Sequence, residues 1–413
     1  MAKVFPFQPY RYAPKAGDPA NLVTQPYDKI DSALQAKYLA ASPYNLVRVI
    51  LGERKPGDND ADNVYTRSAG HFNQWIADGI LARDSQPGFY AYFQEFTDPD
   101  TQERLTRKGF IGIGAVEEYS AGIVHRHEQT LSGPKKDRRQ VLEHTRAHFG
   151  QIFMLYPDRQ GEIDRILDQA AQGKALVAVT DNYGAAHRLY AIDDPSAVEH
   201  IQRVMADKKL LIADGHHRYE TALAFKNDHP EIADAGNVMM TFVNMYSPGL
   251  RILATHRVLR NLTVDRDAFL AKVAQKFKVT KFDSASALHQ LFKQPAPNSV
   301  RIGVAFPDTE QVWLLERPRN GALDVKVLHE ELIEGALGIS ADAVRDEKHI
   351  HYVRGLDAAV REVHAGASVG FLLEPTTIDQ VAGTSFGGGV MPQKSTDFYP
   401  KLLSGMTIYR LEK

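Results

Sequence analysis

The stretch Leu210-Leu211-Ile212-Ala213-Asp214-Gly215-His216-His217-Arg218-Tyr219-Glu220-Thr221-Ala222-Leu223 admits few conformations. It begins as an apolar run that reads as a buried strand and ends as a helix, so Asp214-Gly215 is a strand-to-helix turn. A helix start leaves backbone N–H groups free and carries the positive end of the macrodipole, which favours an anion. Two imidazoles and a guanidinium sit at that point. Arg218 offers a planar fork matched to phosphate, His216 and His217 can move protons near neutral pH, and Asp214 can orient a histidine, a hydroxyl or a metal ion. The pattern predicts a phosphate-handling site, against the plainer reading of a common Asp-Gly turn with solvated His and Arg.

Composition narrows the field. A chain of 413 residues has room for two or three domains. A net charge of −2 speaks against a general nucleic-acid or membrane-surface binder. With 0 Cys, thiolate catalysis, iron–sulfur clusters and disulfides are excluded. The start Met1-Ala2-Lys3-Val4-Phe5-Pro6-Phe7 lacks the apolar run of a signal peptide, and no long apolar stretch suggests a membrane span. The expected location is the cytoplasm.

Helical and strand-like segments alternate, which predicts a mixed α/β fold. Helices are expected at about 32–41, 64–82, 136–149, 161–171 and 196–207, and strands at 89–96, 107–116, 151–156, 174–180, 187–192 and 209–213. The expected divisions are an N-terminal α/β region (1–120), a central region bearing the phosphate motif (121–260), an inserted α/β subdomain (261–345) and a C-terminal segment (346–413) that returns a Lys-Ser-Thr loop to the site.

Three further constellations carry possible chemistry. His125-Arg126-His127-Glu128-Gln129-Thr130-Leu131-Ser132-Gly133-Pro134-Lys135-Lys136-Asp137-Arg138-Arg139 sets imidazoles, a carboxylate and cations around a Gly-Pro turn, and Lys135 and Arg138 would project from the first turns of a helix. A solvated basic helix start is the alternative. The segment from Phe386 to Lys401 holds Gly387-Gly388-Gly389 ahead of Lys394-Ser395-Thr396; it is not a Walker A loop, though its parts suit a phosphate, and a structural Gly-rich turn is the alternative. Gln25-Pro26-Tyr27-Asp28 and Ser42-Pro43-Tyr44-Asn45 place an aromatic ring beside Asp or Asn, suited to stacking a base or orienting an amine, or simply to closing a core. A metal reading also stands, since His125-x-His127 and the i, i+4 pair His144 and His148 could supply imidazoles.

The chain resembles, over essentially its full length, the bacterial and archaeal family catalogued as domain of unknown function 1015 (DUF1015). The resemblance rests on Pro26-Tyr27-Asp28, Asn45, His127-Glu128-x-Thr130, Pro134-Lys135-x-Asp137-Arg138, Asp214-Gly215-His216-His217-Arg218, Thr255-His256-Arg257 and Met391-Pro392-x-Lys394-Ser395-Thr396. The Asp-Gly-His-His-Arg core is also similar to the signature of the ParB/sulfiredoxin-like superfamily, whose members bind nucleotides and include free L-serine kinases. That similarity implies a ParB/sulfiredoxin-like core elaborated by a further α/β subdomain, ATP or ADP with Mg²⁺, and phosphoryl transfer to or from a small hydroxylated metabolite such as serine or phosphoserine.

In such a reaction Arg218, with N–H groups near Gly215 and His216, would cradle the nucleotide phosphates. Lys135, Arg138 or Lys394, with Ser395 and Thr396, would neutralise the transferring group. His217 or Glu128 would take the hydroxyl proton, and Asp214 would hold Mg²⁺ or orient a histidine such as His216. Tyr27, Asp28 and Asn45 would receive the substrate, an amino acid's ammonium included. Two rival readings are a metal-dependent hydrolase built on His125, His127, Glu128, His216 and His217, and a non-catalytic nucleotide-binding regulator. The phosphotransfer reading requires Lys394 to lie within about 15 Å of His217, because catalytic groups must reach one substrate.

Overall fold

Leu210 to Ala213 and Ile152 to Tyr156 are almost wholly buried, as near-continuous apolar strands are when both faces of a sheet are covered. Alternate side chains serve opposite faces: Leu210 and Ile212 join one apolar cluster, while Leu211 and Ala213 join another that continues into a second sheet at Val300 and Phe371. Each large side chain so buried contributes about 1.5–3 kcal/mol. These strands belong to a mixed sheet in the computed structural model, which describes residues 2–128, 132–345 and 348–412. Gln129, Thr130 and Leu131 of the basic segment lie outside the described residues.

Among the described residues nine strands form this sheet: β1 (Val4–Phe5), β2 (Phe89–Thr97), β3 (Arg104–Ala115), β4 (Val124–His125), β5 (Ile152–Tyr156), β6 (Val177–Thr180), β7 (Ala186–Ile192), β8 (Leu210–Asp214) and β9 (Asn237–Asn244). Their order is β4-β8-β5-β9-β3-β2-β7-β6, with β1 paired to β3. The helices that position the site are α1 (Val64–Ala77), α2 (Ser132–Thr145) and α3 (His216–Asp228).

The chain then makes β10 (Arg251–Leu253) and enters a six-stranded sheet of β11 (Thr255–Leu259), β12 (Lys278–Phe282), β13 (Ser299–Ala305), β14 (Val312–Pro318), β15 (Ile350–Arg354) and β16 (Val369–Leu373). The order is β12-β14-β13-β16-β11-β15 and every pair is antiparallel. Helices α4 (Ala285–Phe292) and α5 (Leu356–His364) pack on it through Leu288, Ala359 and Val363. After α6 (Ile378–Phe386), β17 (Asp397–Tyr399) pairs antiparallel with β10. The chain finally runs back along its own beginning, with bridges Thr24↔Ser404 and Tyr10↔Ile408.

The mixed α/β expectation holds. Strands on both sides of residue 120 share one sheet, and the second sheet spans 255–373. The helix expected over 136–149 stops at Thr145; Arg146 turns at φ 51°, and Ala147–His148 pairs as a strand with Tyr409–Arg410. His144 and His148 are therefore not an i, i+4 helical pair. Among the described residues no helix is long and apolar enough to cross a membrane.

Candidate functional site

Strand β8 delivers Asp214 to the start of α3 through Gly215, at φ 96° and ψ 26°. Glycine is needed there on two counts: an L side chain is strained at that φ, and a Cβ would stand 3.0 Å from Arg218 Nη2. The N-cap residue, a glycine, has no side chain to cap the helix, and the first N–H groups of a helix have no intrahelical acceptor. Arg218 does not project its fork as the sequence suggests. It folds back over the turn, with Nη2–H donating to Asp214 Oδ2 at 2.9 Å and Nη1–H to the Gln151 carbonyl.

The other Asp214 oxygen, Oδ1, lies 3.6 Å from Lys401 Nζ, and Lys401 lies 3.2 Å from Asp397 Oδ1. Arg354 Nε–H donates to Asp397 Oδ2 at 2.6 Å. Burial opposes ionisation of Asp214, yet Lys401, Arg218 and Lys29 outweigh it and hold the carboxyl well below its usual range. For Lys401 burial again works against the charge, and Asp214, Asp397 and Asp28 reverse it, raising the ammonium pKa. Lys29 goes the other way: burial first, then Lys401, lower it against the pull of Asp28 and Asp397. Among the described residues Lys29 and Lys394 make no ion pair within 4.0 Å.

A parallel bridge between Glu128 and Met391 lays the segment after β4 against the C-terminal loop. The Glu128 carboxylate accepts the Lys394 N–H, but burial dominates and raises its pKa. Lys394 itself sits at φ 57°. Buried Arg257 holds the loop's shape, its Nη2 donating to the carbonyls of Gln393 at 3.3 Å and Lys394 at 3.0 Å. His127 is wholly buried beside β8. Its Nδ1 contacts the Ile212 carbonyl at 2.8 Å, which can only accept, so Nδ1 carries the proton and Nε2 accepts from the Thr396 hydroxyl at 2.7 Å. Burial lowers this imidazole to about 4.

His216 packs edge-on against His127 with centroids 4.7 Å apart. Burial, then His127, push its pKa well below the usual value. Its Nε2 is buried with no hydrogen-bond partner among the described residues, a state that costs about 1–3 kcal/mol unless a ligand or water meets the atom. His217, half-buried, is lowered by burial and by Lys135, and it also feels Asp28, Glu220 and Lys394.

The structure therefore brings together Asp28, Glu128, Asp214, Gly215, His216, His217, Arg218, Lys394 and Thr396. It commits others elsewhere. Lys135 pairs with Glu220, which Arg126 also approaches at 3.5 Å. Arg138 lies 4.1 Å over the Tyr27 ring and donates through Nε to Asp137 at 3.0 Å. Tyr27, Arg138 and Arg218 line, with Val141, Leu142 and Phe149, a slot of about 70 Å³. Ser395 Oγ–H closes the loop on the Pro392 carbonyl at 2.5 Å. Asn45 is a correction: it is fully buried, its amide donating to Asn21 O at 2.8 Å and accepting from Val47 N at 2.9 Å, so it fixes a turn and does not await an ammonium.

Cations face both oxygens of Asp214, the expected Mg²⁺ holder: Arg218 on one and Lys401 on the other. Among the described residues no three His, Asp or Glu side chains gather as a metal set. Of the histidines with metal-ligand spacing, His125 contacts the Gly122 carbonyl at 3.0 Å and His144 the Gln140 carbonyl at 2.8 Å. Sequence reasoning gave no role to Lys29, which follows Asp28, or to Asp397 and Lys401, which lie inside the Phe386 to Lys401 segment it singled out. Their signal was weak because lone Lys and Asp in loops read as solvated; what distinguishes them is burial.

Residues 4–357 match the family model described as "Protein of unknown function (DUF1015)". No curated protein matches the chain. Among solved structures, a free serine kinase mutant in complex with ADP is similar at 11% identity and TM-score 0.37, covering 70% of this chain and 89% of that one. A conserved hypothetical protein from Pyrococcus furiosus is similar at 12% and TM-score 0.34, covering 68% and 89%. C-terminally truncated SbnI from Staphylococcus aureus is similar at 11% and TM-score 0.37, covering 71% and 85%.

Proposed function

We propose, for a chain that belongs to the DUF1015 family, that it moves a phosphoryl group between ATP or ADP and the hydroxyl of a small metabolite. The observation that carries this is the convergence, at one helix start, of two lysines and an imidazole nitrogen that have no ion-pair or hydrogen-bond partner among the described residues, beside a half-buried carboxyl whose pKa is raised. Phosphoryl transfer needs little covalent chemistry from a protein; it needs positioning and charge neutralisation in a site screened from water.

The N–H groups at the start of α3 and the ammonium groups of Lys29 and Lys394 hold the phosphates. Arg218 keeps Asp214 and the Gly215 turn in place, and its guanidinium borders the small slot beside Tyr27. His217 is neutral at pH 7 because burial and Lys135 lower it, so it can accept the proton of an attacking hydroxyl; Glu128 is the second candidate base. Asp28 supplies the charge for a substrate ammonium. Since the residues do not form a magnesium cage, no step here is assigned to the metal, and any Mg²⁺ would enter with the nucleotide phosphates.

The test is phosphorus NMR of the purified protein with MgATP or MgADP and a panel of hydroxylated metabolites and their phosphates, serine and phosphoserine first. New phosphomonoester or nucleotide signals that vanish with Lys394→Ala support the reading and name the substrate. Nucleotide binding without turnover would replace it with a regulator.

A further inference from the structure

Between the β2–β3 turn of the first sheet and the second sheet lies an open cavity of about 430 Å³. That lies within the span of small-molecule sites, about 300–1,000 Å³. Its walls come from the β2–β3 turn, β10, the end of α4, the start of α5 and the segment after β16. Leu253, Leu356 and Leu373 on these walls are buried, and Phe292 is partly so. Asp100, His289 and Lys293 line the same cavity at more exposed positions. Asp100 feels burial and then Asp98, a second lining carboxylate paired with Arg251, ahead of His289 and Lys293; among the described residues Asp100, His289 and Lys293 form no ion pair within 4.0 Å.

One unpaired carboxylate opposite an ammonium and an imidazole, above apolar walls, complements a zwitterion with an apolar tail. We infer that this cavity is a binding site for an apolar α-amino acid, whose ammonium meets Asp100, whose carboxylate meets Lys293 and His289, and whose side chain enters between Leu253, Phe292 and Leu373. Charge-assisted contacts at the head fix orientation, and burial of the tail supplies affinity.

The same walls carry the candidate catalytic loop. Leu253 stands opposite Asp397 in the β10–β17 ladder, and Asp397 pairs with Lys401. Thr376 gives its hydroxyl hydrogen to the Ser395 carbonyl at 3.0 Å. His256 accepts the Leu373 N–H at 3.1 Å and directly precedes Arg257, which holds the carbonyls of Gln393 and Lys394. A ligand wedged in the cavity thus stiffens the loop, and by linkage a ligand on the loop strengthens binding in the cavity. The regulatory half of this inference rests on the phosphotransfer reading; the binding half does not.

Calorimetric titration of the full chain with L-leucine and L-phenylalanine tests it, alongside L-leucinamide, which lacks the carboxylate, and 4-methylpentanoate, which lacks the ammonium. The expected result is one site that takes the two amino acids, rejects both analogues, and is weakened at least about tenfold by Asp100→Asn and by Lys293→Glu. Both changes sit away from the core, and circular dichroism confirms that each variant is folded. Leucine should also slow amide exchange over residues 391–401. No binding of either amino acid, or binding undiminished in both folded variants, overturns the site; binding without slowed exchange overturns the coupling. Leucine binding beside a silent phosphorus NMR assay defeats the phosphotransfer reading and leaves this site standing.

Discussion

At the residue scale the site is governed by which charges are already matched. Arg218 and Lys401 both face Asp214, whereas Lys29 and Lys394 make no ion pair within 4.0 Å among the described residues. Lys394→Ala should therefore lower kcat/KM by roughly 10²–10³, the loss typical of one transition-state donor, with little effect on the melting temperature. Arg218→Ala should lower activity by a similar factor and also reduce stability, because it leaves buried Asp214 short of a cation; comparing urea midpoints of the two variants separates the roles. The residues legible in the sequence were those with distinctive chemistry in a distinctive order, such as Asp214-Gly215-His216-His217-Arg218. Lys29, Asp397 and Lys401 were not, because a lysine's part depends on whether folding buries it, and no local pattern encodes that.

Elements explain why the turn is so constrained. Gly215→Ala puts a Cβ at positive φ and against Arg218, so it should destabilise by roughly 1–2 kcal/mol in chemical denaturation and abolish the phosphate site together. Arg257→Met keeps much of the buried volume but releases two loop carbonyls; hydrogen exchange over 391–396 should quicken by about tenfold while the rest of the chain is unchanged. Local pattern was enough for elements with strong periodicity: Ser32–Ala41 and the hairpin strands over 89–116 fall where expected. It failed over 146–149, where Arg146 adopts φ 51° and the next residues leave the helix to pair with Tyr409–Arg410. That pairing partner lies far along the chain, so a window of neighbours could not reveal it. The pairing of 255–259 with 369–373 inside the second sheet escaped for the same reason.

Across the whole molecule, several histidines are buried in the neutral form. His127 and His148 are lowered to about 4 by burial, and His256 to about 3. The unfolded chain binds a proton at each near pH 6.5 while the folded chain refuses it. Their contribution is thus fully present above pH 6.5 and is lost as pH falls toward 4, by about 1.4 kcal/mol per pH unit for each group. Melting temperature should fall steeply across that window, and His148→Gln should flatten the decline if the variant folds. The bridges that lay residues 10 and 24 beside 408 and 404 carry a different consequence, one of timing. Translation delivers Asp28, Glu128 and Asp214 long before Lys394 and Lys401, so the early charges must wait for their late partners. The cluster of charges around Asp214 is complete only when the segment over 394–408 folds back on residues 10–29.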